Sequence, residues 1–130
     1  MPVAWTISHD EHLVVCAVEG EFSREDIERY LSAVAARGAM PYAKLIDMLY
    51  AQPGALSLGD VRALGKKMVA FSRKGPVGPL AFVITSEPDR FMASIFGQAE
   101  VSRAIAVFDT VLKARAWLAA EKATCPSARP

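Results

Sequence analysis

Leu45-Ile-Asp-Met-Leu-Tyr-Ala-Gln-Pro-Gly-Ala-Leu-Ser-Leu-Gly-Asp-Val-Arg-Ala-Leu64 contains the signals of one strand, one loop and the start of one helix. Its first part, Leu45–Leu49, is mostly apolar and predicts a buried strand with an acid, Asp47, near its end. Pro53-Gly54 predicts a loop. Ser57 then begins a helix, because a serine followed three residues later by an acid is typical of a helix N-terminus. This order indicates one unit of an α/β fold.

Strand and helix patterns also alternate on both sides of this stretch. The predicted strands outside it are Val3–Ser8, Leu13–Val18, Leu80–Ile84 and Ala104–Phe108, with Gly20 ending the second one. The predicted helices begin at Ser23, Ser57, Ser86 and Asp109. The order ββαβαβαβα predicts an α/β fold with a five-stranded mixed, mostly parallel sheet and four helices. We expect a single domain over residues 1–123 and a flexible tail over 124–130.

Composition limits the classes of partner and the compartment. The chain has 130 residues, of which 52% are hydrophobic, and 15 Lys and Arg nearly balance 14 Asp and Glu. This balance predicts no long-range attraction to nucleic acid. No apolar run has the length of an integral membrane segment, and the first residues lack the pattern of a signal peptide. Cys16 and Cys125 make a poor disulfide pair, so we expect reduced thiols in a cytoplasmic protein.

Three of the predicted helices begin with the same arrangement of a serine and an acid. The pairs are Ser23 with Asp26, Ser57 with Asp60, and Ser86 with Asp89. In each pair the serine hydroxyl can accept a hydrogen bond from a free helix amide while the acid accepts one in return. Ser57 is therefore interpreted first as a helix cap. A phosphate on Ser57 would meet the positive end of the helix dipole but would be repelled by Asp60.

The sequence gives little support for catalysis. The two histidines, His9 and His12, lie in one polar turn with Asp10 and Glu11, which we interpret as a solvated turn rather than a metal site. No serine elbow, phosphate-binding loop or dinucleotide motif is present in the sequence. We therefore expect a protein that is not an enzyme and that carries no metal and no cofactor.

The order of elements and several segments resemble the STAS domain (sulphate transporter and anti-sigma-factor antagonist), in particular its SpoIIAA-like bacterial branch. The segments that carry the resemblance are Val14–Gly20, Lys44–Asp47, Ala81–Ile84 and Val107–Leu118. The resemblance implies a non-enzymatic regulatory module that binds partner proteins around the loop and helix beginning at Ser57. Phosphorylated members carry Asp-Ser-Ser/Thr-Gly where this chain has Leu56-Ser-Leu-Gly59, so the preceding acid and the second hydroxyl are missing.

These observations define a predicted partner-contact surface and several alternatives. The surface consists of Asp47, Pro53, Gly54, Ser57, Gly59, Arg62, Lys66 and Lys67, with Ser57 as a possible phosphosite. The basic residues Arg62, Lys66, Lys67, Arg73 and Lys74 are either a solvated helix face or a site for an acidic partner protein. A homodimer is one of the expectations of this interpretation. The alternative function is a small apolar ligand or lipid-binding module, with a pocket formed by Phe91, Met92, Ile95 and Phe96.

Overall fold

The computed structural model describes residues 3–52, 57–85 and 104–124. The strands are β1 (Val3–Ser8), β2 (Leu13–Glu21), β3 (Ala43–Gln52), β4 (Leu80–Val83) and β5 (Ile105–Phe108). The helices in these ranges are α1 (Arg24–Ala36), α2 (Leu58–Ser72) and α3 (Val111–Thr124). The strands form one sheet in the order β1-β2-β3-β4-β5, in which β1 is antiparallel to β2 and every other pair is parallel. The predicted mixed, mostly parallel sheet is confirmed.

The described ranges contain three helices, whereas the sequence predicted four. The remaining predicted helix, which begins at Ser86, lies in residues 86–103, outside the described residues. Most of the predicted tail, including Cys125, also lies outside them, and α3 extends to Thr124.

Two predicted strand ends are wrong, and a bulge explains part of the difference. Gly20 does not end β2, because its positive φ of 67° is accommodated inside a strand that continues to Glu21. The register shifts between Ala17, opposite Asp47, and Glu19, opposite Tyr50, so β3 carries one extra residue there. Because β3 runs from Ala43 to Gln52, Asp47 lies in the middle of the strand and not at its end.

Helices cover both faces of the sheet. One face packs against α1 and α2, where Val14 and Leu64 belong to the buried core and Ile46 packs against it. The opposite face packs against α3, and its core includes Leu45 and Leu118. Neighbouring residues of β3 enter different cores because successive side chains of a strand point to opposite faces.

Candidate functional site

Ser57 caps α2 with the geometry that the sequence predicted. Its hydroxyl oxygen accepts a hydrogen bond from the Asp60 backbone N–H at 3.0 Å, and its own N–H donates to Asp60 Oδ2 at 3.1 Å. Ser23 and Asp26 form the same capping box at the start of α1. The predicted cap at Ser86 lies outside the described residues. The Ser57 hydroxyl therefore has a structural role that is independent of any modification.

The charge of Asp60 is stabilised beside this hydroxyl. The hydrogen bond from the Ser57 backbone N–H lowers the pKa of the Asp60 carboxyl from its ordinary value. Partial desolvation opposes that shift, while the Ser57 hydroxyl and the charge of Arg24 add to it. Arg24 Nη1 lies 3.7 Å from Asp60 Oδ1 and joins the start of α1 to the start of α2. A phosphate on Ser57 would have to form next to an ionised carboxylate.

The predicted basic residues of α2 have two different environments. Lys67 Nζ contacts Glu28 Oε2 of α1 at 3.0 Å, so its charge is engaged within the protein. Arg62 and Lys66 are exposed, and neither forms an ion pair with a residue that the structure describes. Of the three, Arg62 and Lys66 are the cations available to a partner.

The other predicted surface residues are less closely connected to Ser57. Asp47 Oδ1 accepts the backbone N–H of Leu49 at 3.1 Å within its own strand. A Cβ atom on Gly59 would meet only Ser57 Oγ, at an ordinary 3.6 Å, so the helix does not require glycine there. Pro53 and Gly54 lie outside the described residues.

Two exposed apolar side chains near the site were missed by the sequence analysis. Tyr50, near the end of β3, is 72% exposed, and Leu58, the first residue of α2, is 50% exposed. They bracket Ser57 and the preceding loop along the chain. In a regular strand, alternation of side chains would place Tyr50 on the same face of the sheet as Ile46. The bulge changes this, so that Ala51 packs against the core on that face instead of Tyr50. Leu58 could have been recognised because it lies to one side of the Val61, Leu64, Met68 stripe.

A second polar cluster lies at the opposite end of the strands from Ser57, where the parallel strands begin. Lys44 is 2% exposed, and its ammonium group donates to the backbone oxygens of Met40, Tyr42 and Val77. The distances to the Tyr42 and Val77 oxygens are both 2.7 Å. The sequence analysis used Lys44 only as part of a strand motif, and it gave no sign that this lysine joins two loops.

The two histidines lie at that same end of the strands. His9 Nδ1 lies 2.7 Å from the Tyr42 hydroxyl, and the ring of His12 packs edge-on against Tyr42 with centroids 4.9 Å apart. Within the described ranges, no three His, Cys, Asp or Glu side chains are grouped so that they could hold a metal ion. Cys16 is buried, and burial raises the pKa of its thiol to about 12, which keeps it protonated near neutral pH.

Comparison with solved structures identifies the architecture. The chain superposes on the crystal structure of an uncharacterized DUF3478-family protein with a SpoIIAA-like fold from Shewanella loihica PV-4, with a TM-score of 0.62. The match covers 89% of this chain and 91% of that one, at 17% sequence identity. The fold is SpoIIAA-like. This confirms the expected STAS resemblance at the level of fold, and identity this low carries no further conclusion about activity.

Sequence comparison does not assign the chain to a protein family. No protein-family model matches the chain, and no curated protein matches it. In the part of the chain that the structure describes, none of the helices combines the length and apolar character needed to cross a membrane. The SpoIIAA-like fold is therefore the starting point for a functional proposal.

Proposed function

We propose that this protein is a non-enzymatic regulatory or scaffolding module that acts by protein–protein contact around the loop and helix beginning at Ser57. The observation that carries the proposal is the exposure of Tyr50 and Leu58 on either side of this loop in the sequence. Large apolar side chains in water are unfavourable, and buried aromatic and aliphatic anchors supply much of the energy of protein interfaces.

The distribution of exposed apolar side chains supports this location. Three large hydrophobic residues are exposed among those described, namely Tyr50, Leu58 and Leu112. Two of the three, Tyr50 and Leu58, lie on either side of Ser57 and its loop in the sequence, whereas Leu112 lies on α3, far from Ser57 along the chain. The SpoIIAA-like fold is a second, coarser support, because regulatory modules are built on it.

The described chemistry gives no competing reason to propose catalysis at this site. The Ser57 hydroxyl caps a helix and contacts an acidic residue, Asp60. Both histidines lie at the opposite end of the strands. Nucleophilic catalysis by a serine needs a base within hydrogen-bond reach that can accept its proton. Asp60 is a poor choice, because its lowered pKa makes it a weak base.

Site-specific photo-crosslinking in the native cell tests the proposal. A photoreactive phenylalanine analogue is placed at Leu58 in one variant, at Tyr50 in a second, and at Leu112 as a matched exposed control. We expect the first two positions to capture the same protein and position 112 not to capture it. Capture from Leu112 alone, or from none of the three positions, would contradict the proposal.

Three other expectations stay predictions. The residues proposed to form an apolar ligand or lipid pocket, Phe91, Met92, Ile95 and Phe96, lie outside the described residues. Phosphorylation of Ser57 can be checked by intact mass after incubation with cell extract. The expected homodimer can be checked by light scattering against the chain mass of 14.0 kDa.

A further inference from the structure

From Val61 onwards, the charged residues of α2 and of the segment that follows it are all basic. Residues 61–86 contain five basic residues and no Asp or Glu, although acids and bases are nearly balanced over the whole chain. The only acid of α2 is Asp60, and it is engaged in the capping box. The local excess of positive charge is therefore not neutralised from within the helix.

Three of these cations follow one line along the exposed side of α2. Arg62, Lys66 and Arg73 are all exposed. At 3.6 residues per turn, their positions fall within about a quarter turn of one another and span ~16 Å along the axis. Leu58 lies one turn before Arg62 on the same side, so the line begins with the exposed apolar residue. We call these four residues the α2 row.

The surroundings of the α2 row limit the width of the partner. On the α1 side, Lys67 is paired with Glu28, and α1 also carries the exposed acid Glu25. A broad polyanion lying across both helices would meet these acids as well as the cations. A narrow acidic segment along α2 alone would meet only the cations.

We propose that the α2 row binds a narrow acidic segment of a partner protein, with an apolar side chain of that segment seated against Leu58. The inference rests on the proposed function and specifies the chemistry of the partner. Helix dipole stabilisation accounts for Arg73 at the end of α2, but it does not account for Arg62, near the start of the helix, or Lys66, near its middle. These two residues therefore carry the test.

Binding is measured by fluorescence anisotropy with a labelled synthetic helical peptide. The peptide carries Glu residues on one face and a Leu at one end, and a matched peptide replaces each Glu by Gln. We expect the wild-type protein to bind the Glu peptide more tightly than the Gln peptide. The R62E/K66E variant should bind the Glu peptide about tenfold more weakly at low salt, with a smaller salt dependence.

A control variant carries the same change in net charge at exposed arginines on other helices. R37E/R115E replaces Arg37, at the end of α1, and Arg115, on α3, and its affinity should stay within about twofold of wild type. Circular dichroism checks that each variant is folded, and R62Q/K66Q replaces R62E/K66E if that protein does not fold. Equal binding of the two peptides, or an equal loss in both variants, would overturn the proposal.

Two further probes separate the acidic segment from other anions. A short single-stranded oligonucleotide and vesicles of phosphatidylcholine with phosphatidylglycerol are measured against the same variants. Tighter binding of either probe than of the Glu peptide would overturn the inference in favour of a nucleic acid or a membrane. If the peptide result fails while photo-crosslinking at Leu58 still captures a protein, only the acidic character of the partner is rejected.

Discussion

Gly78 lies in the connection between α2 and β4, where two loops approach each other closely. Its φ is +75°, a backbone conformation that side chains rarely adopt. A Cβ atom there would lie 2.6 Å from the Pro41 carbonyl oxygen and would also overlap the Tyr42 carbonyl. The position requires glycine for both backbone conformation and space, and neither reason is visible in the sequence Gly75-Pro-Val-Gly-Pro79.

We predict that Gly78→Ala lowers the free energy of unfolding by about 3 kcal/mol or more, as strained backbone and overpacking add. Gly38→Ala is the matched control, because Gly38 has a φ of +68° but nothing within 4 Å of an added Cβ. It should cost about 1 kcal/mol. Urea denaturation measures both. Equal losses would show that backbone conformation alone, without the contact to the Pro41 loop, sets the requirement.

The start of α2 contributes a pH dependence to stability that follows from its capping box. The pKa of Asp60 is lower in the folded protein than its ordinary value near 3.8. The ionised carboxylate therefore stabilises the fold above that value, and this contribution is lost as the pH falls through the lower, folded pKa. The stability difference between wild type and Asp60→Asn should be fully present near neutral pH and should shrink as the pH falls below 3.8.

The double mutant shows whether this effect belongs to the capping box. Ser57→Ala should cost about 1 kcal/mol at neutral pH. In the Ser57→Ala background, Asp60→Asn should cost less than it does alone, because the two side chains stabilise one another's hydrogen bonds. Strictly additive losses in urea denaturation would mean that Asp60 acts through the Ser57 backbone N–H and Arg24 rather than through the Ser57 side chain.

Features that depend on residues close in sequence could be predicted for this chain, whereas features that depend on tertiary contacts could not. The capping boxes at Ser23 and Ser57 were predicted from spacing alone, because a cap depends on residues close in sequence. The exposure of Tyr50 could not be predicted, because the bulge in β3 depends on pairing with β2. The pairing of Lys67 with Glu28 joins residues on different helices and was equally hidden.

Lys44 joins the connection before β3 to the connection before β4, two segments that are distant in sequence. Its buried ammonium group donates to carbonyls from both loops. We predict that Lys44→Met lowers the free energy of unfolding by about 3 kcal/mol or more, since it leaves buried acceptors without a donor. Lys66→Met, at an exposed position, should change it by less than about 0.5 kcal/mol.

Urea denaturation at neutral pH measures both lysine variants. A change of the same size in Lys44→Met and Lys66→Met would mean that water replaces the lysine donor without penalty. Peptide binding gives an independent readout, because Lys66 belongs to the α2 row and Lys44 does not. Lys44→Met should therefore lose stability without losing affinity for the Glu peptide in the fraction that is folded.

The fold class was predictable because apolar periodicity and helix caps repeat along the chain, and strand-helix alternation admits few architectures. The site was predictable only in part. Ser57, Arg62 and Lys66 were named, whereas Tyr50 and Leu58 became evident from their exposure. Roles that depend on tertiary contacts, such as that of Lys44, are not encoded in local sequence patterns.

The order of the strands in the sheet has a consequence for how the protein is made. Because spatial order follows chain order from β1 to β5, each strand pairs with the strand synthesised just before it. As the chain leaves the ribosome, every new strand meets a partner that is already present and never has to insert between two others. The sheet can therefore grow from one side during translation, with β1 and β2 as its first hairpin and β5 as the last strand added.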